Sequence, residues 1–146
     1  MAGIRGKDQV SGNWGQFWID GELYVEVNSF EAKINPNRED VPIDMDIDSK
    51  LISLAGEGTY SLKKMFTRGK AKVLEKWKKG EDPRFNFVAK IADPDTRGKQ
   101  EEKISIGNVW LNELTLLTFE KGSLVNEEFS FGFTPSDSSF MDEISV

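Results

Sequence analysis

Apolar and polar residues alternate along most of this chain, and the alternation predicts about seven strands and a single helix. From Glu22 onward, Leu23, Val25 and Val27 alternate with Glu22, Tyr24 and Glu26, the pattern of a strand with one buried face. The phase then slips, and Phe30, Ala32 and Ile34 carry the apolar face on even numbers. One extra residue near Asn28 and Ser29 restores the register, so the pattern predicts a β-bulge there. After Ile34 comes a polar loop, Asn35-Pro36-Asn37-Arg38-Glu39-Asp40, and then an extended segment from Val41 to Asp48. A bent strand running into a long excursion suits gripping a neighbouring subunit better than enclosing a small pocket.

Residues 1–13 are polar and dotted with glycine and read as an arm. Residues 14–19 form a strand, and Asp20-Gly21 is a hairpin-turn signal into Glu22. In the strand at 51–64, Ile52, Leu54, Tyr60 and Leu62 keep one phase, and Gly56-Glu57-Gly58 marks a bend or a close backbone approach. The spacing predicts a helix over 68–79. Phe66, Val73, Leu74 and Trp77 fall on one stripe, Lys70, Lys72, Lys76, Lys78 and Lys79 lie largely off it, and Gly80 ends it.

Strands follow at 85–91 and 103–111 around a polar loop at 93–98, and a further segment, 114–120, leads to the turn Lys121-Gly122-Ser123. In the last strand Val125, Glu127, Phe129, Phe131 and Phe133 share one face and Asn126, Glu128, Ser130 and Gly132 the other, which makes the three phenylalanines core. The remainder is a Ser- and Asp-rich tail, mobile or docked on a neighbour. The expected organisation is a single β domain over 14–134, an antiparallel sandwich or barrel with one flanking helix, between the arm at 1–13 and the tail at 135–146.

Composition narrows function more than fold. The 146 residues suit one domain. With no cysteine there is no disulfide framework or thiolate site. With no histidine there is no imidazole acid–base catalysis, Ser-His-Asp triad or imidazole metal site. The N-terminal region lacks the apolar stretch of a secretory signal and no run reaches membrane-spanning length, so synthesis and folding in a cytoplasm are expected. A formal net charge of −6 argues against a dedicated nucleic-acid clamp and fits repulsion of DNA, or solubility by self-repulsion.

Candidate chemistry is sparse, and no cofactor or metal is expected. Asp44, Asp46 and Asp48 look like the start of a calcium loop, but Ser49 and Ala55 stand where an EF-hand needs Gly and Glu, which leaves an extended segment with an acidic face. Gly56-Glu57-Gly58 lacks the Lys and Ser/Thr of a phosphate loop. The helix lysines could form a nucleic-acid or membrane patch; the favoured reading is the solvated face of a core-packing helix. Exposed Trp14, Trp18 and Trp110 could stack on sugars, so a carbohydrate-binding β-sandwich is the alternative. A glycosidase would need two carboxylates across a cleft, and nothing points to one.

The stretch EVNSFEAKINPNREDVPI resembles a segment of the tail tube proteins of contractile-tailed phages, and of related defective prophages and phage-tail-like bacteriocins. Three further motifs match in order: GEDPRF after the helix, EEKISIGNV at 101–109 and NEEFSFGF at 126–133. The resemblance spans 12–133. It implies a β-sandwich or half-barrel with a flanking helix, a structural protein and not an enzyme. It also implies hexameric rings whose strands join into a barrel, stacked into a tube that passes DNA inside a contractile sheath. The implied partners are further copies of the chain, sheath, baseplate and tape-measure proteins, with DNA passing without sequence recognition. Assembly would take place in the host bacterial cytoplasm, and the product would be a virion or tail-like particle.

On that footing 35–50 is an inter-subunit element, with Asn35, Pro36, Asp40, Val41, Pro42, Ile43, Asp44, Asp46 and Asp48 as contact residues; the alternative is a surface loop on a monomer. Glu26, Glu57 and Glu128 are candidates for lumen-facing acids, or ordinary outward strand residues. The helix, with Lys72, Lys76 and Lys79, is expected to face the sheath. Bare sheet edges are a liability in a monomer, and a ring closes them.

Overall fold

The computed structural model describes residues 3–146; the first two positions of the expected arm lie outside the described residues. Strands β1 (Gly15–Ile19), β2 (Glu22–Leu23), β3 (Val27–Ile43) and β4 (Asp46–Lys63) precede helix α1 (Lys70–Lys78). Strands β5 (Phe85–Ile91), β6 (Glu102–Leu111), β7 (Asn126–Phe133) and β8 (Ser138–Asp142) follow it. The strand order is β2-β1-β5-β6-β7-β4-β3, with β8 also on β6, and every pairing is antiparallel.

Strand β6 turns one sheet into two layers. It pairs with β5 from Glu102 to Val109 and with β8 over its first half, and its end, Trp110 and Leu111, pairs with Gly132 and Phe131 of β7. The sheet therefore folds over, and aromatic side chains fill the space between. Phe17 of β1 lies 4.9 Å from Phe30 of β3, and 5.1 Å from both Tyr60 of β4 and Phe87 of β5, centroid to centroid. Phe87 stands edge-on to Phe131 at 5.0 Å. Such pairs contribute roughly 0.5–1.5 kcal/mol each beyond the area they bury. The antiparallel sandwich or half-barrel with a flanking helix is thus observed, as is the inward row Phe129, Phe131, Phe133.

The β3–β4 register shifts between Val27 and Ser29, where the phase slip predicts a bulge. Gly56, Gly58 and Gly132 mark close approach: a Cβ on Gly132 would sit 2.6 Å from the Trp110 ring, and one on Gly56 2.6 Å from the Phe133 ring. Helix α1 starts later than the spacing predicts, because Arg68 and Gly69 have left-handed φ values of 53° and 76°. Gly80, at φ 79°, follows its end.

Four expectations need correction. The polar segment within 35–50 is no loop: β3 and β4 continue through it as a hairpin, with Ile43 opposite Asp46 and Asp44-Met45 as the two-residue turn. Asp44 supplies the positive φ, 52°, that a tight hairpin turn requires. The asparagines that look like loop residues pair across the ribbon, Asn37 Nδ2 donating to Ser53 Oγ at 2.9 Å.

Second, the face expected inward over 22–27 is reversed. Tyr24 and Glu26 are buried while Leu23 and Val25 are exposed, because Arg68 draws both even-numbered side chains inward. Third, 114–120 does not join the sheet. Lys70 Nζ donates to the carbonyls of Thr115 and Leu116, at 2.9 and 3.1 Å, and holds the segment beside the helix. Fourth, the tail docks on its own body: Ile104 and Ile106 of β6 pair with Phe140 and Ser138 of β8, and Ser145 N donates to Gln100 Oε1 at 2.8 Å.

Candidate assembly surface

Among the described residues, strand β4 pairs with β7 only from Gly56 onward, and β3 pairs with nothing but β4. Residues 35–55 therefore leave the body as a two-stranded ribbon. Such a ribbon is marginal in water unless a third surface supports it. This one leaves its apolar residues uncovered: Ile43, Ile47, Leu51, Ile52 and Leu54 are all exposed, and Met45 at the turn is 97% exposed. Directly opposed residues share a face, so Pro36 lies with Leu54 and Pro42 with Ile47 on one side, and Val41 with Asp48 and Ile43 with Asp46 on the other. The result is an apolar ribbon edged with carboxylates. An uncovered apolar surface rimmed by polar groups is the mark of an interaction site.

The structure brings all nine sequence-predicted contact residues onto this ribbon. Asp40, Val41, Pro42, Ile43, Asp44, Asp46 and Asp48 form its outer half, Pro36 lies nearer the root, and Asn35 at the root donates from Nδ2 to Glu57 Oε1 at 2.8 Å. Sequence reasoning did not single out the ribbon's exposed apolar residues Met45, Ile47, Leu51, Ile52 and Leu54. The signal was available: Val41 and Ile43 are mirrored by Asp48 and Asp46 about Asp44-Met45.

At the root of the ribbon the outer face of β3, β4 and β7 is polar. Glu57, Thr59 and Ser61 share it with Glu31, Lys33, Glu128 and Ser130. Lys33 Nζ lies 3.8 Å from Glu31 Oε1 and from Glu57 Oε1, and the Ser29 and Ser61 hydroxyls are 2.6 Å apart. The face is small, hydroxylated and mixed in charge. Glu57 and Glu128 are exposed on it, as outward strand residues.

Glu26 is elsewhere, which corrects the expectation that it faces a lumen. Its carboxylate is 2% exposed and accepts from Arg68 Nε at 3.1 Å and Nη2 at 2.9 Å. Arg68 also pairs with Glu22 and stacks on the Tyr24 ring at 4.4 Å. Burial works against the guanidinium charge, but the hydrogen bonds and charge of Glu26, then the charge of Glu22, outweigh it and hold its pKa above the ordinary value. Glu127, also buried, meets Lys64 Nζ at 3.2 Å and Lys70 Nζ at 2.6 Å. These two clusters pin the segment that enters α1 and leave each carboxylate fully paired. Among the described residues no group of His, Cys, Asp or Glu could hold a metal ion.

Lys72 and Lys76 are exposed on α1 and Lys79 just past its end, while Val73, Leu74 and Trp77 are half-buried. Trp110 carries the Arg84 guanidinium at 4.8 Å and donates from Nε1 to Asn112, Trp18 carries Lys90 Nζ at 5.7 Å, and Trp14 stands apart, 49% exposed. Among the described residues no helix is long and apolar enough to cross a membrane.

Comparison with known proteins gives this arrangement a family. Residues 2–142 match a family model described as "Phage tail tube protein". The phage-like element PBSX protein XkdM of Bacillus subtilis (strain 168) is 25% identical over 137 residues, covering 92% of this chain and 92% of its own length. Among solved structures, the tube-terminating cap of the anti-feeding prophage superimposes with a TM-score of 0.74 at 11% identity, covering 98% of this chain and all of its own. A chain from the sheath–tube complex of an extracellular contractile injection system, in its extended state, reaches 0.65 at 9% identity, covering 94% of this chain and 93% of its own.

Proposed function

The chain belongs to the phage tail tube protein family, and we propose that it polymerises as stacked hexameric rings into the inner tube of a contractile tail. It is a structural component of a virion or tail-like particle and not an enzyme. The observation that carries the polymer reading is the ribbon 35–55: its apolar residues have no cover among the described residues, and a second copy of the same chain would supply one.

The strand margins add to this. The outer margin of β3 and the ribbon margin of β4 are unpaired along their length, and closing them head to tail generates rings and stacked filaments. In such a ring the polar face with Glu57 and Glu128 turns to the lumen, where hydroxyls and a slight excess of carboxylates let DNA pass without holding it. Helix α1 turns outward, with Lys72, Lys76 and Lys79 toward the sheath. Baseplate and tape-measure proteins complete the partners, and assembly proceeds in the host bacterial cytoplasm.

The test is negative-stain microscopy of the purified protein at rising concentration. Hollow tubes with six-fold rings are expected. A monodisperse monomer at every concentration overturns the reading.

A further inference from the structure

The series of strands ends in β2 and β3, and beyond the short β2 the start of β1 lies beside β3 without joining it. Gly15 and Gln16 of β1 pair with β5 on one side, while β2 reaches only Trp18 and Ile19 on the other. The opposite wall is the start of β3, whose outer margin has no partner among the described residues. Between them runs a groove of about 710 Å³. Val27, Phe30, Ala89 and Ile104 make it apolar, and Lys63 and Lys90 bring positive charge to it, with Lys90 Nζ 3.5 Å from Glu101 Oε2 and Glu102 also on the wall.

We propose that this open seam receives the hairpin tip, residues 43–47, of a second copy of the chain. The inference rests on the polymerising reading and names the receptor for its ribbon. The chemistry matches on three counts. Ile43, Met45 and Ile47 are apolar and exposed, and Met45 is unbranched, the side chain that fills irregular gaps. Asp44 and Asp46, interleaved with them, meet Lys63 and Lys90, a complementarity that fixes register and speeds encounter. The outer margin of β3, unpartnered among the described residues, offers main-chain donors and acceptors to an incoming strand.

The occupant is another copy and not the chain itself. Strand β3 is 17 residues long, and its first residues wall the seam while its last form the tip. At about 3.3 Å per residue the two lie roughly 50 Å apart. A tip that cannot reach its own seam, offered to an identical seam elsewhere, is a head-to-tail contact that propagates.

Zero-length carbodiimide coupling of the unmodified protein tests this, because it joins only lysines and carboxylates already in contact. Tubes grown from mixed 14N and 15N protein are coupled, digested and read by mass spectrometry. Mixed-isotope peptides joining Lys63 or Lys90 to Asp44 or Asp46 are expected, and they disappear from Lys63→Gln/Lys90→Gln tubes. Tubes whose tip carboxylates join the α1 lysines, or join nothing, overturn the seam assignment and leave polymerisation standing. Failure to form tubes at all overturns both.

Discussion

From Val27 to Ile34, strand β3 lies against an aromatic core; from Asn35 to Ile43 the same strand, among the described residues, lies against nothing but β4. In the body Phe17, Phe87, Ile106, Val109 and Phe131 are at most 1% exposed, and the buried acids Glu26 and Glu127 are ion-paired. In the ribbon no residue is buried, and its apolar side chains stand as open as its charged ones. The body has what a small domain needs to fold alone. The ribbon has only cross-strand pairs, so what selects its apolar residues is not the stability of the single chain.

The sharpest break between the regions should come from truncating equivalent side chains in each. Phe131→Ala is expected to cost about 3–5 kcal/mol in urea denaturation, since it empties the centre of the aromatic cluster. Ile47→Ala should change the same transition by no more than about 0.5 kcal/mol. Equal losses would show the ribbon to be part of the folding unit.

Arg68→Met comes next, at about 3 kcal/mol, because it strands the Glu26 carboxylate in the interior. Adding Glu26→Gln should recover part of that loss, as urea melts of the double variant would show. Gly132→Ala follows at roughly 1–3 kcal/mol, since the new methyl meets the Trp110 ring; a shift in tryptophan emission should accompany it.

A smaller effect is alkaline. Burial raises the phenol pKa of Tyr60 well above its ordinary value of 10.0, and that of Tyr24 less, by burial and then the Glu22 charge. The unfolded phenols ionise first, so this stability is complete below about pH 10 and drains away as pH rises toward the folded values. Tyr60→Phe should flatten that decline in melts between pH 9 and about 11.5. Smallest in stability, and largest in assembly, is Leu51→Asp/Leu54→Asp: its urea midpoint should match the unaltered protein while tubes vanish from micrographs. Unchanged tube yield would remove the ribbon from the contact.

The body was legible where neighbours in sequence settle the outcome. The alternation from Glu127 to Phe133 and the slip at Asn28–Ser29 both act within one strand. It was not legible where a distant side chain intervenes. Leu23 and Val25 look like the inward pair, yet Arg68, more than forty positions later in the chain, takes Tyr24 and Glu26 inside. The segment 114–120 has strand composition, but Lys70 engages its carbonyls first. In the ribbon, polarity was mistaken for irregularity: Asn35, Asn37 and Glu39 carry the side chains of a loop, but their pairing with Ala55, Ser53 and Lys50 is that of a sheet. The nine residues expected to make a contact all fall on the ribbon, while the exposed apolar residues of its returning strand were overlooked.

The two prolines of β3 give the ribbon inequivalent sides. Pro36 and Pro42 sit within the ladder to β4 without breaking it, opposite Leu54 and Ile47. A strand admits proline where its nitrogen points away from the ladder, so the missing amides belong to the outer side of β3. Strand β4 carries no proline over 46–55. One side of the ribbon is thereby guarded against indiscriminate, amyloid-like stacking while the other keeps its full set of amides, so a crowded solution of these molecules is steered toward ordered growth and away from tangles.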